Sequence, residues 1–205
     1  MNILIVAATE PEIASIRDVW FRKHHISYLV TGIGMVATSY SLSVRLLEER
    51  YDLVINCGLA GSFDRSLKLG EVVHVAEDIF SELGAEDGDQ FLTLKEIGLE
   101  GIDILINVDE IRPEIINKFK RVRAITVNTI HGNIESIQKV QNRLHPQIET
   151  MEGAAVFFVC GKLGISSIQI RAISNYVEKR NKSEWNIPLA IENLKTSLAD
   201  VLNRI

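Results

Sequence analysis

Three polar sites stand out in this chain, and each follows a stretch with the character of a β-strand. Glu152 stands at the start of an apolar helix, Glu12 follows the first strand, and Asn175 ends a late strand. The carboxyl ends of parallel strands meet at one edge of a sheet, where ligands usually bind. We therefore expect these three side chains to share one pocket.

Each site also has a purely structural interpretation. Thr9 and Glu12 match a capping box, in which the glutamate binds the backbone amide of the cap residue, and local sequence alone favours that interpretation. Glu152 could be an anion stabilised by a helix start. Its small and apolar neighbours leave room for a ligand rather than for a salt-bridge partner, which favours a functional role. Asn175, taken alone, is most simply a turn residue at a strand end.

Two glycine-containing segments could approach a ligand. The segment 58–62, Gly-Leu-Ala-Gly-Ser, reads as a small-residue turn whose backbone amides could hold an anion or a ribose, or as a close crossing of the chain. The segment 32–34 has the first two glycines of a dinucleotide fingerprint. It lacks the third and does not follow the first strand, so we discount it. The chain has no GxSxG or P-loop motif and no isolated cysteine with an evident histidine partner, which argues against nucleophilic serine or cysteine chemistry.

Composition excludes several other classes of function. The net charge of −5 comes without a basic stripe, so no nucleic-acid partner is expected. No apolar run approaches the length of a membrane span, and the N-terminus lacks the features of a signal peptide, so we expect a cytoplasmic protein. Cys57 and Cys160 stand in apolar surroundings and should be buried, reduced thiols. The five histidines show no metal-ligand spacing, so no metal is predicted.

Apolar strands alternate with amphipathic helices along the chain. This order predicts a single α/β domain over residues 1–205, with three layers (α/β/α) and a mostly parallel, mixed central sheet. Strands are expected at 2–8, 26–31, 52–57, 70–80, 102–108, 123–129, 147–150 and 166–174, and helices at 9–20, 35–51, 112–120, 134–144, 153–163 and 186–204. Residues 81–101 should form a loop or hairpin.

The polar segments, in their order and spacing, resemble those of the purine nucleoside phosphorylase and nucleosidase superfamily. The resemblance covers nearly the whole chain and is carried by residues 7–12, 31–37, 55–62, 69–73, 151–155 and 171–175. It implies a nucleoside phosphorylase-like fold, a small-molecule nucleoside as substrate and no cofactor. It also implies a homodimer or higher homo-oligomer.

The resemblance further implies cleavage of an N-glycosidic bond through a ribosyl cation. In that reaction Glu12 corresponds to the residue that activates water, Glu152 to the one that holds the ribose hydroxyls, and Met151 to an apolar contact under the sugar. Carboxylates suit these roles because they stabilise developing positive charge. Further substrate contacts are expected from Gly58, Ala60, Gly61, Phe80, Ile130 and His131.

Asn175 departs from the adenine-cleaving members, which carry aspartate there. An asparagine cannot supply a titrating proton, but its amide can donate to a 6-oxo group and its carbonyl can accept from a protonated ring nitrogen. We interpret it as selecting a hypoxanthine-type base. Segments 80–88, 151–155 and 174–180, followed by Trp185, narrow the resemblance to hydrolases whose substrate combines that base with a side chain ending in benzoate. Arg65, Arg180 and His131 are candidates for the benzoate, and 81–92 for a closing loop.

Three other functions stay open at this point. The first is a nucleosidase for methylthioadenosine or S-adenosylhomocysteine. The second is a nucleoside phosphorylase, which needs cations for phosphate. Glu10 and Glu12 in the first turn disfavour it. The third is a nucleoside-binding protein without activity, against which the pair Glu12 and Glu152 argues. Leu59 replaces a serine that is common in related nucleosidases, so only the backbone of that loop is a candidate contact.

Overall fold

A computed structural model describes residues 1–17, 23–102, 104–106 and 113–205. The strands are β1 (Asn2–Ala7), β2 (His25–Val30), β3 (Leu53–Ser62), β4 (Val72–Phe80), β5 (Gly84–Asp87), β6 (Gln90–Thr93), β7 (Ile104–Ile106), β8 (Lys120–Thr126), β9 (Ile148–Thr150) and β10 (Ser166–Tyr176). The helices are α1 (Glu10–Arg17), α2 (Met35–Glu48), α3 (Ile134–Leu144), α4 (Gly153–Leu163) and α5 (Ile187–Arg204). Short 3₁₀ helices span Glu114–Lys118 and Lys182–Glu184.

The central sheet is mixed and mostly parallel, as predicted. Its order runs β2-β1-β3-β10-β4-β8-β9, with β7 beside β4, and β9 pairs again with β3. Strands β3, β10, β4, β8 and β9 therefore form a closed ring, from which β1 and β2 extend. The antiparallel pairs are β10–β4, β3–β9 and β4–β7. The closure places β9 and β10 on either side of β3, which matters for the site described below.

Helices cover both faces of the sheet and give the expected three layers. Alternate residues of β1 point to opposite sides, because successive side chains of a strand do. Ile3 and Ile5 pack in a cluster with residues of α1 and α5, whereas Leu4 and Val6 pack with residues of α2 and α4. Each strand end at the carboxyl edge is thus held between two packed layers.

Several element boundaries differ from the sequence predictions. Residues 58–62 do not form a turn, because they continue β3 and pair with both β10 and β9. The expected helix at 112–120 is reduced to the 3₁₀ helix Glu114–Lys118, since Lys120 already pairs in β8. Residues 81–101 contain the β5–β6 hairpin. The predicted end of α1 beyond Arg17, residues 107–108 of the predicted strand at 102–108, and Arg112 lie outside the described residues.

Two further expectations can be compared with the structure. Cys57 and Cys160 are buried and free, as predicted. Burial raises the pKa of the Cys160 thiol to about 12, so it stays protonated near neutral pH. Among the described residues, no helix combines the length and the apolar character that crossing a bilayer requires.

Candidate active site

One cavity of about 420 Å³ opens at the carboxyl edge of the sheet. Its walls come from the ends of β1, β3, β9 and β10 and from the first turns of α1 and α4. The predicted site residues that line it are Glu12, Ala60, Gly61, Ile130, His131, Met151, Glu152 and Asn175. The three polar sites that are far apart in the sequence therefore meet at one place.

Glu12 forms the predicted capping box and also lines the cavity. One carboxylate oxygen, Oε2, accepts hydrogen bonds from the backbone N–H and the hydroxyl of Thr9, each at 2.9 Å, which is the capping box. The other oxygen, Oε1, accepts from the backbone N–H of Leu59 at 3.0 Å. Because the cap and β3 fix both oxygens, the carboxylate has one orientation at the cavity wall. The capping contact is therefore compatible with a position of the carboxylate at the cavity wall.

Glu152 is buried, with 6% of its surface exposed, at the N-cap position of α4. Its side chain does not cap its own helix. Oε1 instead accepts from the backbone N–H of Gly34 at 3.0 Å. Gly34 has φ 94°, a backbone conformation that favours glycine. Burial raises the pKa of Glu152. The guanidinium of Arg171 and the hydrogen bond from Gly34 lower this pKa, and the negative charge of Glu12 raises it.

Arg171 is a fully buried cation beneath the two glutamates. Its Nε donates to Gln169 Oε1 at 2.9 Å, and its Nη2 donates to Asn56 Oδ1. A Cβ at Gly58 would lie 2.5 Å from Arg171 Nη1 and 2.6 Å from Glu12 Oε1, so the two charged groups face each other across that glycine. The buried positive charge offsets part of the cost of holding two carboxylates in one cavity.

A chain of buried hydrogen bonds connects Arg171 to the start of α4. Gln169 Nε2 donates to Asp78 Oδ2 at 2.9 Å, and the hydroxyl of Thr126 donates to Asp78 Oδ1 at 2.9 Å. The hydroxyl of Thr126 in turn accepts from the backbone N–H of Ala154 at 2.8 Å. Burial raises the pKa of Asp78 to about 6. This network fixes the helix start that carries Glu152 relative to the strand that carries Arg171.

The opposite end of the cavity is formed by three neighbouring strands. Gly61 of β3 pairs with Glu149 of β9 and with Asn175 of β10. The Asn175 Oδ1 accepts from the hydroxyl of Ser174 at 2.8 Å, and Nδ2 donates to the carbonyl of Tyr176 at 3.1 Å. These bonds fix the amide and leave one N–H and one lone pair for a ligand.

The structure places two predicted contacts away from the cavity surface. Gly58 lies behind the wall, where its missing side chain allows Arg171 and Glu12 to approach. Phe80 does not line this cavity, because its ring packs edge-to-face against Phe158 with 6.2 Å between ring centroids. Phe80 instead lines a separate small cavity of about 250 Å³.

The benzoate candidates differ in position. Arg65 forms an ion pair with Glu178 and stacks over the Tyr176 ring at 4.2 Å from its centroid, and it is not among the lining residues. Arg180 and His131 do line the cavity. The guanidinium of Arg180 lies 5.4 Å from the centroid of the Trp185 ring, which also lines the cavity.

Sequence reasoning missed two residues whose placement matters. Arg171 was quoted only as part of a motif, although a charged residue inside the apolar run of β10 is itself a signal of a buried partner. Glu149 was not singled out in the sequence. No local pattern identifies it, because its partner His131 is distant in sequence and the pairing depends on β9. The further lining residues that were not predicted as contacts include Thr9, Ile33, Thr150 and Tyr176.

The model of the phosphorylase superfamily matches residues 10–204 of this chain. The chain therefore belongs to the phosphorylase superfamily. Among curated proteins, futalosine hydrolase of Thermus thermophilus is 27% identical over 181 residues, which cover 85% of this chain and 80% of that protein. The 5′-methylthioadenosine/S-adenosylhomocysteine nucleosidase of Buchnera aphidicola is 25% identical over 220 residues, with 96% and 93% covered.

Solved structures share the fold along the whole chain. The native futalosine hydrolase of Helicobacter pylori matches with a TM-score of 0.86 at 18% identity, over 100% of this chain and 98% of that one. The 5′-methylthioadenosine/S-adenosylhomocysteine nucleosidase of the same organism also matches with a TM-score of 0.86 at 18% identity, over 100% and 99%. The nucleoside phosphorylase-like fold is thus confirmed, whereas two substrates are named among the similar proteins.

Proposed function

We propose that this chain is a nucleosidase that hydrolyses the N-glycosidic bond of futalosine and releases hypoxanthine. The observation that carries the proposal is the meeting of Glu12 and Glu152 in one cavity, above the buried Arg171 and opposite Asn175. Curated relatives named futalosine hydrolase support the choice of substrate. By the resemblance in sequence, the reaction belongs to a menaquinone pathway in the cytoplasm.

The two glutamates have different roles at the sugar. Glu12 takes a proton from water while the water oxygen bonds to the anomeric carbon and the bond from that carbon to the purine breaks. Glu152 accepts hydrogen bonds from the ribose hydroxyls, and these bonds strengthen as positive charge develops on the ring. Met151 lies beside Glu152 and provides the apolar floor for the sugar. The geometry needs no cofactor for these steps.

At the base, Asn175 selects between purines. Its free N–H can donate to the 6-oxo group of hypoxanthine, and its carbonyl can accept from a protonated ring nitrogen. Arg180 is the cation that lines the cavity among the described residues, and it lies beside Trp185. A cation beside an aromatic ring suits a benzoate, which pairs a carboxylate with an apolar ring. We assign the side chain of futalosine to this wall.

The second candidate is hydrolysis of methylthioadenosine or S-adenosylhomocysteine. The Buchnera relative favours it, because that match extends over more of the chain than the futalosine hydrolase matches do. Asn175 opposes it, since an aminopurine benefits from an acid at this position. Phosphorolysis is disfavoured because Glu12, Glu149, Glu152 and Glu178 all line the cavity and would repel phosphate.

The experiment incubates purified protein with futalosine, aminofutalosine, methylthioadenosine and inosine, each with and without phosphate. Free base is then measured. The proposal expects hypoxanthine from futalosine at a rate that phosphate does not change. Release that requires phosphate would replace hydrolysis by phosphorolysis, and release only from methylthioadenosine would establish the second candidate.

We further propose that two copies of the chain pair through α2. Val36, Tyr40 and Leu47 form an apolar stripe on this helix and are 81%, 73% and 76% exposed. Such a contiguous apolar face marks an interaction surface. Ile33, which precedes the helix, is 62% exposed and also lines the cavity, so a second copy on this face would help to close the site.

The oligomeric state tests this pairing. Tyr40→Glu should convert a dimer to a monomer in light scattering, because the charge would be buried at the interface. Glu48→Gln, a change at the end of the same helix, serves as the control and should leave the dimer intact. A wild-type protein that is monomeric at micromolar concentration would contradict the pairing.

A further inference from the structure

The base end of the cavity contains a carboxylate and a histidine that the mechanism above does not use. Glu149 Oε2 lies 2.6 Å from His131 Nδ1, and Glu149 Oε1 accepts from the backbone N–H of His131 at 3.1 Å. Both residues line the cavity, yet the Glu149 side chain is 4% exposed and that of His131 is 15% exposed. A carboxylate this deeply buried needs a strong partner, and His131 supplies it with two hydrogen bonds.

The pairing determines which ring nitrogen of His131 is available. Because Nδ1 bonds to Glu149, the second nitrogen, Nε2, is the one left for a ligand, and it has no hydrogen-bond partner within the described part of the protein. The ring also packs edge-on against Phe63, with centroids 6.1 Å apart. A histidine oriented by a carboxylate, with its other nitrogen free, is the usual arrangement for moving a proton.

Strand register brings this pair next to Asn175. Glu149, Gly61 and Asn175 occupy paired positions on β9, β3 and β10. A Cβ at Gly61 would lie 3.2 Å from Asn175 Nδ2 and 3.6 Å from Glu149 Cγ. The nearest atom to that position is Val177 Cγ2 at 2.9 Å, so the amide, the carboxylate and the Val177 side chain converge where Gly61 has no side chain. A purine held by Asn175 therefore has the pair as its neighbour.

The reaction leaves one proton to be supplied. When the bond from the anomeric carbon to the purine breaks, its electron pair stays on the base, and hypoxanthine leaves more easily if it is protonated at that moment. Asn175 has no proton to give. We propose that His131, oriented by Glu149, is the acid that protonates the departing base. This inference rests on the proposed hydrolysis, although it does not require futalosine to be the substrate.

The step balances with the groups present. Water loses one proton to Glu12 and bonds to the anomeric carbon, the glycosidic electron pair moves to the purine, and the His131 imidazolium gives its proton to a purine atom. Glu149 stabilises the charged ring before the transfer. His131 also lines a second cavity of about 590 Å³ with Ser136 and Lys139, a route by which solvent can return the proton. His131 is then a catalytic residue and Glu149 a positioning residue.

The test compares leaving groups that need a proton with leaving groups that do not. Initial rates are measured for the purine nucleoside that the wild type cleaves best, for 4-nitrophenyl riboside and for the N7-methylated nucleoside. We expect His131→Gln to slow the ordinary nucleoside at least about 100-fold and to change the other two rates only slightly. Glu149→Gln should show the same selectivity with a smaller loss. His25→Gln, at an exposed position at the start of β2, is the control.

The outcomes separate the possible failures. Equal losses on all substrates would show that His131 has only a structural role, and an unchanged nucleoside rate would show that it has none. Either result overturns the inference while the hydrolase activity stands. If the wild type accepts neither activated substrate, rescue of His131→Ala by added imidazole decides: rescue supports the inference and its absence overturns it. A wild type that cleaves no nucleoside contradicts the proposed function instead.

Discussion

The two ends of the cavity are built in different ways. At what we propose is the sugar end, Glu12 lies in the first turn of α1 and Glu152 at the N-cap position of α4. Each carboxylate accepts a hydrogen bond from a backbone amide of another segment, Leu59 for Glu12 and Gly34 for Glu152. At the base end, Glu149 and Asn175 extend from neighbouring strands and are fixed by register across Gly61. The position of the carboxylates at the sugar end thus depends on helix starts, whereas the base end depends on sheet closure.

This difference explains how one fold can keep its chemistry while its substrate changes. The start of α4 is tied to the core through Thr126, Asp78 and Arg171, so Glu152, which we propose to act on the ribose, cannot shift without disturbing the interior. At the base end, the amide of Asn175 bonds to Ser174 and Tyr176, its neighbours along β10, so this side chain is not part of that buried network. Substitutions at the two ends should therefore differ in kind: at the sugar end they should lower the rate for every substrate, and at the base end the loss should depend on the base that is released.

The largest expected effect is that of Glu12→Gln. Loss of the base that activates water should lower kcat by about 100- to 10,000-fold, while KM changes little. Steady-state kinetics with the preferred nucleoside measure it. Glu10→Gln is the matched control, because Glu10 lies two residues away, is 53% exposed and pairs with Arg17. An equal loss in both variants would attribute the effect to helix stability.

Glu152→Gln should have the next largest effect. The substitution replaces the charged hydrogen bonds to the ribose hydroxyls by neutral ones. Each charged bond is worth roughly 1.5–3 kcal/mol, which corresponds to about 10- to 150-fold in kcat/KM. Since burial raises the pKa of Glu152, its active, ionised form is lost at a higher pH than for an ordinary glutamate. The wild-type kcat/KM should fall as pH decreases through that raised pKa. Persistence of this acid limb in Glu152→Gln would contradict the assignment.

Asn175→Asp should change preference more than rate. The new carboxyl would face the carbonyl of Tyr176, which now accepts from Asn175 Nδ2 at 3.1 Å, and this contact favours the protonated acid. A protonated acid can serve an aminopurine. The ratio of kcat/KM for hypoxanthine nucleosides to kcat/KM for adenine nucleosides should drop by about tenfold, which corresponds to the free energy of one hydrogen bond. An unchanged ratio would show that Asn175 does not select the base.

Thr9→Ala should have the smallest effect on catalysis. It removes the hydroxyl bond to Glu12 but keeps the backbone bond, so loss of the cap should cost about 1 kcal/mol of stability. Thermal unfolding should shift by about 2–4 °C, with less than about tenfold loss in kcat. A much larger loss of activity would mean that the cap, and not only the carboxylate, is required at the sugar end.

The helix boundaries of the fold were predictable from local sequence, whereas one strand boundary was not. Helices α3 and α4 begin and end at the predicted residues, because an asparagine cap at Asn133 and a left-handed glycine at Gly164 are visible in the sequence. The extension of β3 through residues 58–62 was not predicted. Small residues there read as a turn, and only their pairing with β9 and β10 makes them a strand.

The site was predictable where its residues depend on local sequence. Glu12 and Glu152 follow strands and start helices, and both were predicted to face the pocket that they line. The pair formed by Glu149 and His131 was not predicted. The two residues are 18 positions apart in the sequence, and only the closed ring of strands brings them together. Phe80 was expected in the pocket from the resemblance, but its ring packs against Phe158 instead.

The central claim is that Glu12 and Glu152 together stabilise a cation at one sugar. Calorimetric titration with two otherwise identical nucleoside mimics, one with a protonated nitrogen in the sugar ring and one neutral, tests it most directly. We expect the cationic mimic to bind more tightly to the wild type. Each of Glu12→Gln and Glu152→Gln should remove about tenfold of that preference, or roughly 1.4 kcal/mol. Equal affinity for the two mimics, or a preference that survives both substitutions, would contradict the account.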